Sequence, residues 1–93
     1  MTILVDRPMW EFRGVMHAHL ISDHSLVELH DFAFMLGFPE RAFQGDHYDI
    51  PDFLIDAALE LGAQQVDSRE LVRRLKLSGL RLSPKQRDRG GHS

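Results

Sequence analysis

The sequence predicts a small α/β fold, bordering on α+β, in which a mixed three-stranded sheet carries about three packed helices in the order β-β-α-α-β-α. Three observations predict it. Two short apolar runs with strand character come first, capping signals then introduce helical patterns, and a glycine follows each helical pattern. The eight-residue loop 7–14 between the first two strands is too short for a helical crossover, so these strands should be antiparallel.

The first two predicted strands are residues 3–5 and 15–21. The run Ile-Leu-Val at 3–5 is apolar and β-branched, and residues 7–14 form a predicted loop. In the second strand, alternation puts Ala18 on one face and His19 on the other. Both faces are partly apolar, so we expect this strand to lie inside the sheet.

The first predicted helix begins with a capping box, Ser25 to Glu28, and runs to Leu36 with Gly37 as its left-handed stop. The serine hydroxyl can accept from the third amide of the helix, and the glutamate can reach back to the Ser25 amide. Its predicted buried stripe has helical spacing and consists of Leu29, Phe32, Ala33 and Leu36.

The rest of the chain predicts a second helix, a short strand and a last helix. Residues 38–50 are a predicted loop, and Pro51 suits the first position of a helix that reaches about Leu61. Its predicted stripe is Leu54, Ala57, Ala58 and Leu61.

A third strand at 64–66 should return parallel to a neighbour. Asp67 or Ser68 should cap the last helix, 69–78, whose apolar side is Leu71, Val72 and Leu75. We expect one domain over 1–82 and a disordered polar tail over 83–93, where no periodicity is visible.

The composition is that of a soluble protein, with 43% hydrophobic and 27% charged residues. It has no cysteine, which excludes disulfides, thiolate metal sites and thiol nucleophiles. The N-terminus has neither the basic start nor the long apolar run of a signal peptide, and no segment approaches a membrane span. We therefore expect a cytoplasmic protein without a membrane partner.

Charge is distributed unevenly around the net value of −3. Residues 1–68 hold 3 Lys/Arg and 12 Asp/Glu, whereas residues 69–93 hold 8 Lys/Arg and 2 Asp/Glu. A basic segment at 69–89 could bind nucleic acid or another acidic partner. The alternative is a solubilising helix face followed by a frayed tail, which the scarcity of aromatic residues among the basic positions favours.

The histidines are the candidate chemistry-bearing residues, and there are six of them. His17 and His19 lie on one strand face about 6.5–7 Å apart, a spacing compatible with a metal but also with an ordinary half-buried pair. His30 lies beside the buried stripe of the first helix, where a hydrogen bond to backbone would suffice to explain it.

The segment His47-Tyr48-Asp49 is the strongest local candidate. A carboxylate beside an imidazole can fix its tautomer and raise its basicity, as a general base requires. The structural alternative is that Asp49 caps the next helix and Tyr48 fills the core. Arg13, Arg41 and Arg69 are candidates for holding an anion, and Arg69 also lies in the first turn of a helix.

The motifs W-x-x-R-G, A-H-L, E-L-H-x-F-A, H-Y-D and S-R-E-L add up to a resemblance. Over about residues 2–82 the chain resembles a family of short bacterial and phage proteins catalogued as domain of unknown function 4031. His17 departs from the family pattern, which has a large apolar residue there, so His19 is the preferred histidine of that pair. Carried over by position, the motifs point to Trp10, Arg13, His19, His30, His47, Tyr48, Asp49 and Arg69.

The resemblance also implies an association with HD-type metal phosphohydrolases, which favours a phosphorylated small molecule or nucleotide as ligand. We expect His19, His47 and Asp49 to be the reactive groups or the ligands of a divalent metal ion. If the protein is an enzyme, hydrolysis of a phosphoester by a histidine base or a metal-activated water is the expected reaction. Around them we expect a ligand-binding set of Trp10, Arg13, His30, Gln44, Tyr48 and Arg69.

Two other functions stay open on the sequence. One is a non-catalytic binding or regulatory module that uses the basic 69–89 segment for nucleic acid. The other is a purely structural role for the motifs. A core this small also permits a homodimer.

Overall fold

The computed structural model describes residues 2–82 and shows one mixed sheet of five strands with helices on both faces. The predicted α/β class is confirmed, whereas the strand count of three was too low. The predicted tail, 83–93, lies outside the described residues. The strands are β1 (Ile3–Val5), β2 (Trp10–Phe12), β3 (Val15–Ser22), β4 (Tyr48–Pro51) and β5 (Gln64–Gln65). The helices are α1 (Leu26–Leu36), α2 (Ile55–Glu60) and α3 (Ser68–Ser78), with 3₁₀ turns at Glu40–Ala42 and Asp52–Leu54.

Strand β3 is the centre of the sheet. Leu20 pairs with Val5 of β1 and with Tyr48 of β4, so β1 and β4 lie on its two edges. His17 pairs likewise with Trp10 of β2 and with Pro51, which puts β2 on the same edge as β1. The predictions of an internal second strand, antiparallel to β1, and of a later strand parallel to a neighbour (β5 beside β1) are confirmed.

Both strands that the sequence reading missed lie in predicted loops. Strand β2 pairs with β3 through a two-residue turn in which Arg13 and Gly14 both have positive φ, 53° and 82°. Two consecutive positive φ values define the tight hairpin turn whose twist matches the strands, although arginine is rare there. Strand β4 ends at Pro51 instead of letting that residue begin a helix. Proline lacks a donor but is tolerated at a strand terminus.

The second helix is shorter than predicted for the same reason. Because β4 extends to Pro51 and a 3₁₀ turn follows, α2 begins only at Ile55. Its buried residues are Ile55 and Ala58, whereas Ala57 and Leu61 of the predicted stripe are exposed. The strand therefore shifted both the start and the buried face of this helix.

The observed caps of the two longer helices, α1 and α3, agree with the predicted caps in most respects. The Ser25 hydroxyl accepts from the Glu28 amide at 3.1 Å, Gly37 has a φ of 83°, and the Asp67 carboxylate accepts from the Glu70 amide at 2.8 Å. One half of the predicted capping box is wrong, because the Glu28 carboxylate accepts from the Ser22 hydroxyl at 2.5 Å instead of reaching the Ser25 amide. The Ser22 oxygen accepts from the Ser25 amide in its place, at 3.1 Å.

Alternation along the strands divides the interior into two layers. The larger layer packs α1 and α2 on one face of the sheet and includes Leu20, Leu29, Tyr48 and Ile50. The smaller layer packs α3 on the other face, where Leu71 and Leu75 contact Leu4 and Ile21. Among residues 2–82, no helix has the length and apolar character needed to cross a membrane.

Candidate metal-binding site

The pairing of β3 with β4 builds a cluster of polar side chains on the α3 face of the sheet. His19 lies directly opposite Asp49 in this antiparallel ladder. Opposite residues of such a pair have Cβ atoms about 4.5–5.5 Å apart and point to the same face. His47 precedes β4 by one residue, and its ring centroid lies 5.3 Å from that of His19. Residues separated by 28 positions in the chain are thereby brought together.

Three potential metal ligands converge in this cluster. One ligand atom each from His19, His47 and Asp49 lie within 4.8 Å of one another, and all three residues are half-buried. Nε2 of His47 lies 3.2 Å from Oδ1 of Asp49. This is the only group of three or more His, Cys, Asp or Glu residues within 2–82 whose atoms could hold one ion.

A fully buried carboxylate, that of Asp6, holds His19 in place. Its Oδ2 atom accepts from Nδ1 of the His19 ring and its Oδ1 atom accepts from the His19 amide, both at 2.7 Å. Oδ2 also accepts from the hydroxyl of Ser68, the first residue of α3, at 2.9 Å. Asp6 therefore connects the end of β1, the middle of β3 and the start of α3.

A second fully buried carboxylate, that of Asp46, holds His47 in the same way. Its Oδ1 atom accepts from Nδ1 of His47 at 2.6 Å, and Oδ2 accepts from the Leu82 amide at 3.0 Å. The guanidinium of Arg81 lies 3.9 Å from Oδ2. The contacts of Leu82 and Arg81 bring the segment after α3 against this carboxylate.

These contacts fix the tautomers of both rings. A carboxylate accepts, so Nδ1 of His19 and of His47 carries the proton, and Nε2 of each neutral ring is left with a lone pair. Nε2 of His47 then faces a carboxylate oxygen, Asp49 Oδ1, which is buried and has no hydrogen-bond partner among the described residues. Two acceptors at this separation need a cation between them, either a proton or a metal ion.

The pKa shifts of His47 and Asp49 are consistent with a cation between these two side chains. Burial disfavours the charged imidazolium, but the neighbouring carboxylates of Asp49 and Asp46 outweigh it and raise the pKa of His47 above its usual range. Burial alone would raise the pKa of Asp49, but His47, with contributions from His19 and His17, holds it below its usual range. Without a metal, a proton on His47 stabilises the cluster.

Residues 3–78 match the family described as "Protein of unknown function (DUF4031)". This chain belongs to the DUF4031 family. No curated protein and no solved structure matches it. The family assignment covers every strand and helix of the fold and all three cluster residues, and it carries no assigned activity.

The H-Y-D segment of this DUF4031 chain is divided between the two faces of the sheet. His47 and Asp49 point toward α3, whereas Tyr48 is fully buried in the α1–α2 layer. The Tyr48 hydroxyl lies 2.8 Å from Nδ1 of His30 on α1. Tyr48 and His30 therefore form a pair of their own, and the sheet separates them from the cluster that they were predicted to join.

Replacing Tyr48 with phenylalanine should show that this pair belongs to the fold. The change removes one hydrogen bond and keeps the ring, so we expect a loss of about 1 kcal/mol in the free energy of unfolding. That loss should lower the melting temperature by roughly 4–8 °C. Metal affinity, measured by calorimetry, should stay at the wild-type value. A fall in metal affinity similar to that of a ligand substitution would place Tyr48 in the site after all.

The predicted arginines are not drawn into the cluster. Arg13 lies at the tip of the β2–β3 hairpin with its guanidinium 5.2 Å from the centre of the Phe12 ring. The turn joins β3 at Val15, which is four residues, or about 13 Å, along the strand from His19. Arg69 is exposed in the first turn of α3, next to Ser68, and Arg41 is exposed in a 3₁₀ turn.

Trp10 and Gln44 lie beside the cluster. The Trp10 ring centroid is 4.5 Å from that of His19. The backbone N–H of the exposed Gln44 donates to the His47 backbone carbonyl at 2.8 Å. On the other side of the two histidines, a small cavity of about 50 Å³ separates them from α3 and is lined in part by Arg81.

Sequence reasoning missed Asp6, Asp46, Ser68 and Arg81. Asp6 follows the first strand and Asp46 lies in a Gly-Asp turn, where carboxylates usually serve the local backbone. A signal was nevertheless present for Asp46, because a metal-binding histidine needs a hydrogen-bond partner for Nδ1 and Asp46 is adjacent to His47 in the sequence. Asp6, by contrast, lies 13 positions from His19. Arg81 lies in the predicted domain of 1–82 but follows the last helix, where no motif or helical pattern marks it.

Proposed function

We propose that this DUF4031 protein is a cytoplasmic metal-dependent protein that binds a phosphorylated small molecule or nucleotide and, as an enzyme, hydrolyses its phosphoester. The observation that supports it best is the buried Asp49 Oδ1, which faces Nε2 of His47 within a three-ligand cluster. This oxygen has no hydrogen-bond partner in the described part of the chain, and a divalent cation would coordinate it.

The donor set fits an ion of the zinc type. Two imidazoles and one carboxylate are ligands that zinc and related divalent metals accept, and three protein ligands leave a position open for water or substrate. The hydrogen bonds from Nδ1 of both rings to Asp6 and Asp46 have the form of the outer contacts that orient metal-bound histidines. A bound ion would polarise a phosphoryl group and activate a water molecule for attack.

Two cationic features could hold the phosphate beside the ion. Arg81 lines the cavity that also contacts both histidines, which makes it better placed than Arg13 for this role. The start of α3 is close as well, because Ser68 donates to Asp6, and the helix dipole and the exposed Arg69 at that end favour an anion. If no metal binds, His47 with Asp46 behind it has the arrangement of a general base and its orienting carboxylate.

Calorimetry with zinc, manganese and cobalt on protein first treated with a chelator tests the metal. We expect one metal ion per chain. Asp49→Ala or His47→Ala should weaken metal binding more than about 100-fold, because even the residues that hydrogen-bond to metal ligands contribute about 10–100-fold to metal affinity. The matched control is His24→Ala, an exposed histidine in the turn before α1. Equal binding by wild type and both ligand variants would overturn the metal site.

The loaded protein should then bind inorganic phosphate and release phosphate from p-nitrophenyl phosphate. Arg81→Ala should weaken phosphate binding more than metal binding, because Arg81 lines the cavity and is not one of the three metal ligands. The comparison uses Arg73→Ala, whose exposed side chain is paired with Glu70. Metal binding without any phosphate binding would limit the function to a metal-binding module.

The nucleic-acid alternative has less support. Within the described part of the basic segment, Arg73 pairs with Glu70 at 2.6 Å and Arg74 pairs with Asp23 at 2.5 Å. Both cations are thus already neutralised by partners in the same chain. The remainder of that segment, 83–89, lies outside the described residues.

A further inference from the structure

A groove opens beside the metal-binding cluster on the side away from α3. Its volume is about 340 Å³, near the lower end of the range for small-molecule sites, about 300–1,000 Å³. Asp49 belongs both to this groove and to the cluster, so a molecule in the groove would lie next to the metal ligands. The groove is lined by Trp10, Phe12, His17, Ala42, Gln44 and Asp49.

We propose that this groove binds the planar heteroaromatic ring of a nucleotide whose phosphate lies at His19, His47 and Asp49. This inference rests on the proposed function and narrows its ligand class from phosphorylated small molecules in general to nucleotides. The ring would stack in the groove while the phosphate occupies the metal-binding cluster.

The groove presents a row of flat rings that begins at the cluster. The Trp10 ring contacts His19 at 4.5 Å between centroids and lies nearly parallel to His17, with centroids 6.0 Å and planes 25° apart. Phe12 meets His17 edge-on at 6.0 Å and is 57% exposed. An exposed phenyl ring beside an indole is an unfavourable surface in water but a suitable platform for a nucleobase, whose faces stack on aromatic side chains.

The polar groups of the groove suit the edge of a base better than a second phosphate. Nδ1 of His17 donates to the Val15 carbonyl at 2.9 Å, so Nε2 of the neutral ring is left as an acceptor. The Gln44 amide can both donate and accept. Among the described residues that line the groove, Asp49 is the only carboxylate and there is no lysine or arginine. The nearby Arg13 guanidinium lies 5.2 Å from the centre of the Phe12 ring. Neutral hydrogen-bonding groups between aromatic faces are the features that bind a base.

The single tryptophan of the chain makes this inference directly measurable. Adenosine 5′-monophosphate and uridine 5′-monophosphate would be titrated into the metal-loaded protein, with ribose 5-phosphate as the matched ligand without a base. We expect at least one nucleotide to quench Trp10 fluorescence and to bind at least about tenfold more tightly than ribose 5-phosphate, as stacking typically contributes.

Two variants separate the groove from the metal site. Phe12→Ala and His17→Leu should weaken nucleotide binding about fivefold or more and leave metal and ribose 5-phosphate binding at wild-type values. Phe12 is 57% exposed, so its truncation should leave the fold intact; Phe53→Ala, at 72% exposure on the turn before α2, is the control.

The outcomes distinguish this inference from the proposed function. Equal affinity for ribose 5-phosphate and both nucleotides, without quenching, would overturn the base-binding groove while the metal and phosphate sites stand. Loss of metal binding in Phe12→Ala would also overturn the base-binding groove. The substitution would then weaken nucleotide binding through the metal-binding cluster and not through contacts with the base. Absence of metal or phosphate binding in the wild type would count against the proposed function itself.

Discussion

Replacing Asp6 with alanine is expected to lower the free energy of unfolding by about 3 kcal/mol, because it leaves three donors without their acceptor at about 1 kcal/mol or more each. Asp6 is fully buried and accepts from the amide and ring of His19 and from the hydroxyl of Ser68. For a domain of this size the change corresponds to a fall of roughly 12–24 °C in melting temperature. Urea and thermal denaturation of metal-free protein measure it.

The milder change Asp6→Asn separates stability from metal binding. Asparagine keeps the shape, but its amide nitrogen must face one of the donors that the carboxylate accepts from. We expect metal affinity to fall about 10–100-fold, as for other outer partners of metal-bound histidines. Asp31→Asn, an exposed carboxamide substitution on α1, is the control and should change neither property. Wild-type metal affinity in Asp6→Asn would reduce Asp6 to a purely structural residue.

The parts of the fold that the sequence predicted are those whose signals are local. Ser25 and Asp67 cap their helices with their own side chains, and Gly37 ends α1 in the left-handed region. These interactions join residues three or four positions apart, so a short stretch of sequence is enough to recognise them. Strands β2 and β4 are only three and four residues long, so the alternation of apolar and polar residues in Trp-Glu-Phe and Tyr-Asp-Ile is too short to identify a strand. What makes them strands is the ladder on β3.

The difference between local and long-range interactions also explains which features of the site the sequence could predict. His19, His47 and Asp49 were predicted to work together, and the structure brings them together, but only through a register that no local pattern encodes. Treating 38–50 as a loop left the direction of each side chain open. As a strand, β4 sends Tyr48 into the core and Asp49 toward His19, so neighbours in sequence have unrelated surroundings.

The two carboxylates behind the histidines could not be ranked from the sequence. Asp6 and Asp46 are among 14 acidic residues, and nothing local marks them as buried. Their burial depends on packing from distant segments: Ser68 of α3 closes over Asp6, and Leu82 donates its amide to Asp46. A buried carboxylate that accepts several hydrogen bonds is stable in the folded state, so these contacts both position the cluster and tie the C-terminal part of the domain to it.

Metal affinity is expected to rise about tenfold per pH unit below the raised pKa of His47 and to level off above it, because the metal must displace one proton from Nε2. The metal-free protein should show the opposite trend. Its His47 has a folded pKa above the unfolded value of about 6.5, so the stabilisation from the Asp46 and Asp49 carboxylates is complete below that pH. It is lost as the pH rises through the folded pKa.

The two trends should therefore cross: raising the pH above about 6.5 weakens the metal-free fold and strengthens metal binding. Melting temperatures with and without zinc, together with calorimetry across this range, measure both. Asp49→Asn is the matched variant, because removing that carboxylate should bring the pKa of His47 back toward its ordinary value and flatten the pH dependence of the metal-free protein. Metal affinity that is independent of pH in the wild type would show that Nε2 of His47 is not a ligand, since a ligand nitrogen cannot hold a proton and a metal ion together.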